Sequence, residues 1–172
     1  MQYCAFELHP GIAPEGTPVP WDPATRAQRH SQFAEAAAAE GLEVGERTHW
    51  YSSLAAHEAA EWATARGAGD AFRWAVFRAY FVHNHNISST DVLAGIAESL
   101  SLDVPDLRQA LDEGRHRAEV AAQLELCQRI GVTAVPTFVA ERHALVGAHP
   151  IENLRRLIST AAEHPVDSPV DG

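Results

Sequence analysis

The sulfur chemistry open to this sequence depends on two cysteines, Cys4 and Cys127, which lie 123 positions apart. This spacing gives neither a disulfide framework nor the CxxC pair of a redox site. Thiol exchange needs a stabilised thiolate, as at a helix N-terminus, and a second cysteine to resolve the mixed disulfide. We predict Cys4 in a strand and Cys127 on the apolar stripe of a helix. Both thiols are therefore predicted to be buried and inert, and no catalytic residue is assigned.

Histidines and carboxylates are the other candidates for chemistry. His83 and His85 could place two imidazoles on one side of a loop, but zinc needs two more ligands and none stands near at standard spacing. The run from His57 to Glu61 reads HExxE and lacks the second histidine of the metalloprotease motif. We interpret these histidines as surface or capping residues and predict no metal and no cofactor. Four glutamates are interpreted as solvated helix faces: Glu35, Glu40, Glu58 and Glu61.

The charge of the chain excludes one class of partner. Its 172 residues include 13 basic and 23 acidic side chains, for a net charge of -10. Binding to a phosphate backbone draws on clustered basic residues, whereas these arginines are scattered, so no nucleic-acid partner is predicted. No basic signal-peptide region and no apolar run of membrane-spanning length is present. The sequence predicts a cytoplasmic protein without a membrane partner.

The order of elements is predicted as a strand, a helical block, a hairpin and a last helix. Residues 1–9 are predicted as a strand and residues 10–20 as a loop, because prolines and glycines follow a bulky apolar run. The segment between Asp70 and Val82 is apolar on nearly every face, with Arg73 and Arg78 as its charged interior positions, which predicts a helix buried in the middle of its domain. Residues 163–172 are predicted to be a disordered tail. Helices are predicted from Asp22 to Gly41, from Ser53 to Gly67, from Asp70 to Val82, from Ser89 or Thr90, from Pro105, from Arg115 to Ile130 and from Pro150, and the hairpin is predicted at 135–140 and 144–147.

One combination of motifs resembles a known family. The segment from Gly131 to Val139, followed by Gly147 to Pro150 and an amphipathic helix, is similar to the C-terminal half of a DsbA-type thioredoxin fold. Upstream, Ala5 to Pro10 resembles the family's second core strand, Ser53 to His57 its first inserted helix, and Arg78 to Phe81 its buried helix. The resemblance covers residues 3 to about 160. It is nearest to the cytoplasmic, FrnE-like or polyketide-associated, branch.

The resemblance implies a fold and a site. The fold would be α/β and thioredoxin-like, truncated at its N-terminus, with residues 1–10 and 131–162 as an incomplete core and residues 22–130 as an all-α insertion. In this family the bond before the strand proline is cis, and the neighbouring backbone pairs with an extended substrate. This implies a cis Val135–Pro136 bond and a binding site at Val135, Pro136 and Thr137 for an extended peptide or a thiol-containing protein. The alternative is a proline that merely begins an edge strand.

The sequence departs from the family at its N-terminus. The family carries its CxxC upstream of the strand that begins here at Tyr3, and a βαβ unit takes about 30 residues or more. The chain therefore begins too late to hold that unit, and we predict no disulfide reductase or oxidase activity for it. Three interpretations stay open: an oxidoreductase without its catalytic unit, a redox-inactive peptide-binding module, and a relative of the isomerases or kappa-class glutathione transferases.

The missing unit would also affect folding. Its absence would leave strand edges with unpaired backbone groups and expose apolar side chains. We therefore predict a marginally stable chain, or one that pairs with a second copy as a dimer. The side chains concerned are Phe6, Leu8, Phe138 and Leu145.

Overall fold

The structure is a computed structural model that describes residues 2–163. The chain divides into two compact units, one up to Leu124 and one from Glu125 onward. In chain order the first unit contains β1 (Thr17–Pro18), α1 (Pro23–Ala39), β2 (His49–Trp50), α2 (Leu54–Thr64), α3 (Gly69–Phe81), α4 (Thr90–Ser99), α5 (Val104–Glu113) and the beginning of α6 (Arg117–Arg129). The second contains the end of α6, β3 (Thr137–Ala140), β4 (His143–Val146) and α7 (Ile151–Glu163).

The helices begin and end close to where the sequence predicts. The carboxylate of Asp22 accepts hydrogen bonds from the backbone N–H groups of Ala24 at 2.9 Å and Thr25 at 3.0 Å, which caps α1. Asp103 caps α5 in the same way, and α5 ends at Gly114, whose φ of 63° suits glycine. All seven predicted helices are confirmed, with differences of a few residues at their ends.

The core of the first unit lies among α2, α3, α4 and α5. Helix α2 packs against α3, α4 and α5, and α4 also packs against α3 and α5. This arrangement buries the apolar face of each helix, which is the main source of stability for helices of this length. The four largest fully buried side chains are Trp62, Phe72, Leu93 and Leu107.

The prediction that α3 is buried in the middle of its domain is wrong. Phe72 is fully buried, but Trp74 is 52% exposed and Phe77 is 49% exposed. Helix α3 contacts α2 and α4, so only the side chains that point toward these helices lose their water. The apolar residues on the remaining faces therefore stay at the surface.

The strand predicted at residues 1–9 is also wrong. The described residues of this segment form neither a helix nor a strand, and the N–H of Ala5 donates to the side-chain Oε1 of Gln123 at 2.7 Å. A strand requires a partner, and the two short strands described in this unit pair with each other, with Thr17 opposite Trp50. Because β1 falls inside the segment predicted as a loop, that part of the loop prediction is corrected as well.

The second unit is built on a hairpin. Strands β3 and β4 are antiparallel, with Thr137 opposite Val146 and Ala140 opposite His143, as the sequence predicts. Helix α7 packs against both strands, and the Val135–Pro136 peptide bond is cis. The grouping of residues 1–10 with 131–162 in one core, separate from 22–130, stays a prediction. Of the predicted tail, Glu163 is the last residue of α7, which corrects the prediction there, and residues 164–172 lie outside the described residues.

Within residues 2–163, no helix has both the length and the apolar character needed to cross a membrane.

A hydrogen-bonded cluster links α2 to α5 at the rim of the core. The carboxylate of Asp106 accepts hydrogen bonds from Trp62 Nε1 at 2.7 Å and from Arg115 Nη1 at 2.7 Å, and it also pairs with Arg66. The hydrogen bond from Arg115, followed by that from Trp62, lowers the pKa of Asp106 from 3.8 to about 2. The charged carboxylate therefore stabilises the folded chain.

This cluster predicts how stability depends on pH. Because the folded pKa of Asp106 lies below its unfolded value, its contribution is complete above the unfolded pKa of 3.8 and is lost as pH falls toward about 2. We expect the difference in unfolding free energy between the wild type and Asp106→Asn to shrink as pH falls from about 5 to 3. Urea unfolding across that range measures it. A difference that stays constant would show that the carboxylate is not held in its charged form by these donors.

Candidate functional site

The free edge of β3 is the first feature of the predicted binding site. The N–H of Gly147 donates to the carbonyl oxygen of Pro136 at 2.7 Å, so Pro136 and Gly147 form a hydrogen-bonded pair. Such pairs alternate along an antiparallel ladder, which makes Phe138 a hydrogen-bonded position and turns the backbone groups of Thr137 and Val139 away from β4. Among the described residues, β3 has no strand on this side. Two N–H groups and two carbonyl groups are therefore available to an added strand.

The two faces of the hairpin differ in exposure. Phe138 and Leu145 share the face that is partly buried in the second unit. The opposite face carries Val139, which is 51% exposed, and Val146, which is 57% exposed. An extended partner placed along β3 would therefore also meet apolar side chains.

The predicted site residues differ in solvent exposure. Val135 is 49% exposed, Pro136 is exposed, and Thr137 is partly buried. The Thr137 hydroxyl donates to the carbonyl oxygen of Ala134 at 2.7 Å. This side chain therefore fixes the turn before β3, and the recognition groups at this position are those of the backbone. The sequence could not indicate Val139 as part of the site, because its exposure depends on what packs against the hairpin.

The two cysteines lie in different environments. Neither forms a disulfide; Cys4 is exposed and Cys127 is buried, with 5% of its surface accessible. Cys127 stands in the last turn of α6, at the end of the helix that carries partial negative charge. Reactive thiols of the thioredoxin type lie at the opposite, positive end of a helix. The prediction of a buried thiol is confirmed for Cys127 and wrong for Cys4, whose segment has no partner strand among the described residues.

The segment that carries Cys4 is held on both sides of the thiol. The carbonyl oxygen of Phe6 accepts a hydrogen bond from His57 Nε2 at 3.4 Å, and Arg73 lies 4.8 Å from the centre of the Tyr3 ring. The interpretation of His57 as a surface or capping residue is therefore wrong. Its burial lowers its pKa below 6.5, which the hydrogen bond to Phe6 opposes. We interpret His57 as a residue that attaches the N-terminal segment to α2.

Two glutamates predicted as solvated are largely buried. Glu61 pairs with Arg73 at 3.1 Å, and Glu58 approaches Arg117 at 3.6 Å, each glutamate with 12% of its side chain exposed. Glu35 and Glu40 are exposed, as predicted. The arginines that neutralise the two buried glutamates, Arg73 and Arg117, come from α3 and α6. Their positions could not be predicted from the sequence of α2 alone.

The histidines of the loop between α3 and α4 are at the surface. His83 and His85 are exposed, and their ring centres lie 5.3 Å apart. No group of three or more metal-ligating side chains occurs within the part of the chain that the structure describes.

Comparisons with known proteins agree with the fold. The family model for the DSBA-like thioredoxin domain matches residues 1–159. The uncharacterized protein YwbO of Bacillus subtilis is 27% identical over an alignment of 163 residues that covers 92% of this chain and 80% of that protein. A probable DsbA oxidoreductase of Streptomyces coelicolor superposes with a TM-score of 0.85 at 25% identity, covering 98% of this chain and 77% of that one. A proposed protein disulfide isomerase of Nitrosomonas europaea shares the fold, with a TM-score of 0.68 at 18% identity over 87% of this chain and 79% of its own. The predicted α/β, thioredoxin-like fold is confirmed.

Proposed function

Because the chain belongs to the DSBA-like thioredoxin domain family, we propose that it binds an extended segment of a peptide or of a thiol-containing protein along the free edge of β3. The site consists of Val135, Pro136 and Thr137, as the sequence implies, and extends to Val139. We further propose that this 172-residue chain does not itself turn over disulfides. Membership of the cytoplasmic branch and a cytoplasmic location stay predictions.

The observation that carries the peptide-binding proposal is the pattern of backbone groups on β3. The hydrogen bond between Gly147 and Pro136 fixes the register, so Thr137 and Val139 each offer a donor and an acceptor to the side away from β4. A peptide that adds as a strand gains its affinity from such main-chain groups and its selectivity from the side chains beside them. Exposed Val135 and Val139 favour a segment with apolar residues at alternate positions.

The proposal of redox inactivity depends on the cysteines of this chain. Cys4 and Cys127 are not a CxxC pair, and neither is in a disulfide. Exchange proceeds through a mixed disulfide that a second thiol must resolve. The exposed thiol of Cys4 can form such an adduct, but the chain offers no second thiol at CxxC spacing to resolve it. Binding without turnover is the function that this combination supports.

Removing one outward N–H tests the binding edge. We expect Val139→Pro to weaken binding of fluorescein-labelled, S-carboxymethylated insulin B chain about tenfold, because proline deletes a donor and obstructs strand addition. The ladder to β4 should survive, since the Val139 N–H is not part of it. Fluorescence anisotropy measures the dissociation constant.

The matched control is Ala144→Pro. Ala144 stands opposite Val139, so its N–H points outward from the other edge of the hairpin. This variant should bind the labelled chain as the wild type does. Equal affinities for Val139→Pro and the wild type would refute the proposed edge, and equal losses in both variants would indicate damage to the hairpin.

A further inference from the structure

A groove runs between α3 and α4 in the first unit, and its lining shares no residue with the hairpin of the proposed function. It is a shallow groove of about 560 Å³ that is largely open to solvent. Its walls are apolar, with Ala75 and Ala79 from α3 and Val92 and Ile96 from α4. The loop of residues 82–89 joins the two helices, so the C-terminal end of α3 and the start of α4 meet at one end of the groove.

That end of the groove carries basic side chains. Arg78, His83 and His85 all line it. Among the described residues, Arg78 has no carboxylate within 4.0 Å, whereas the other charged residue of the lining, Asp91, is paired with Arg108 at 2.7 Å. Asp91 lies in the first turn of α4, at this same end, and its surface ion pair with Arg108 offsets its charge in part. The guanidinium of Arg78 has no such partner among the described residues and is available to an anion.

The backbone at the end of α3 does not oppose an anion there. Carbonyl oxygens at a helix C-terminus carry partial negative charge when they are unpaired. Here the carbonyl of Arg78 accepts from the N–H of His83 at 3.3 Å, and that of Ala79 accepts from the N–H of His85 at 2.8 Å. The same hydrogen bonds fix the backbone of His83 and His85 beside the groove.

A glycine in the middle of α4 keeps the groove open. Gly95 lines the groove, and a Cβ atom added there would meet no atom within 4 Å. Glycine is among the least favourable residues inside a helix, and neither close packing nor a positive φ requires it here. A side chain at this position would project into the groove.

We propose that this α3–α4 groove binds a small amphipathic monocarboxylate. The planar guanidinium of Arg78 matches a carboxylate with two parallel hydrogen bonds. The hydrocarbon part of the ligand lies against Ala79, Val92 and Ile96, which shields one side of it from water. One available guanidinium with apolar walls fits one negative charge on an apolar body better than a multiply charged phosphate.

Titration calorimetry with sodium octanoate tests this assignment on the full chain. We expect Arg78→Met to weaken octanoate binding about tenfold, since a hydrogen bond to a charged group is lost while most of the side-chain volume is kept. Arg142→Met, in the exposed turn between β3 and β4, is the matched control and should bind octanoate as the wild type does. Octanamide, which has the same shape without the charge, should bind the wild type more weakly than octanoate.

Gly95→Leu provides a second variant, which fills the groove and leaves the guanidinium in place. It should abolish octanoate binding with an unchanged circular dichroism spectrum. The proposal is overturned if octanoate does not bind the wild type, or if Arg78→Met binds it as tightly as Arg142→Met does. A dimer that Gly95→Leu dissociates, without octanoate binding to the wild type, would also overturn it and assign the groove to a second copy of the chain. None of these outcomes depends on peptide binding at β3.

Discussion

Replacing Phe72 by alanine is expected to lower the free energy of unfolding by about 3–5 kcal/mol, whereas Phe77→Ala should lower it by about 1 kcal/mol or less. Both residues are phenylalanines of α3, but Phe72 is fully buried and Phe77 is 49% exposed. Truncation at Phe72 removes buried apolar surface and leaves a cavity among α2, α3 and α4. Truncation at Phe77 removes a side chain that is already half in water.

Urea denaturation followed by circular dichroism measures both losses. The two substitutions change helix propensity equally, so the difference between them reports burial. Equal losses of unfolding free energy, or a larger loss for Phe77→Ala, would show that α3 packs against the core with a face other than the one that contains Phe72.

The second large effect concerns disulfide chemistry. In an insulin reduction assay with dithiothreitol, the chain is expected to give the uncatalysed rate, because no second cysteine follows at CxxC spacing and Cys127 is 5% exposed. The single variants Cys4→Ser and Cys127→Ser should give the same rate as the wild type. Turnover that Cys127→Ser abolishes would identify Cys127 as a nucleophile and contradict the proposed inactivity.

Local signals in the sequence were sufficient to predict the helices and the hairpin. Asp22 followed by proline is a typical capped helix start, and Gly41, which has a φ of 70°, can end a helix by its own conformation. The turn at Glu141 separates two short runs of β type, and Glu141 has a φ of 54°. These features depend on neighbours within a few positions, so a single sequence contains them.

The predictions that were wrong share a different cause. Residues 2–8 have the composition of a strand, but strand formation needs a partner that the segment does not have among the described residues. The sequence around Glu58 and Glu61 predicts solvated carboxylates, because it does not show that packing brings Arg117 and Arg73 beside them. Burial of α3 likewise depends on how many helices surround it. Each of these properties is set by tertiary contacts that local composition does not determine.

Only part of the candidate site could be predicted, because the rest of it also depends on tertiary contacts. Val135, Pro136 and Thr137 were identified by resemblance to the family, and the structure places them at the start of an edge strand. The role of the backbone at Val139 could not be predicted, because it depends on the register set by the hydrogen bond between Gly147 and Pro136.

Amide hydrogen exchange at single residues tests the central claim, binding of an extended segment at β3, most directly. With saturating S-carboxymethylated insulin B chain, exchange at Thr137 and Val139 should slow, because their outward N–H groups gain acceptors on the added strand. Phe138, whose N–H is directed toward Leu145 in β4, should change little and serves as the internal control. Unchanged exchange at Thr137 and Val139 while the labelled chain is bound would contradict the claim and place the peptide elsewhere on the molecule.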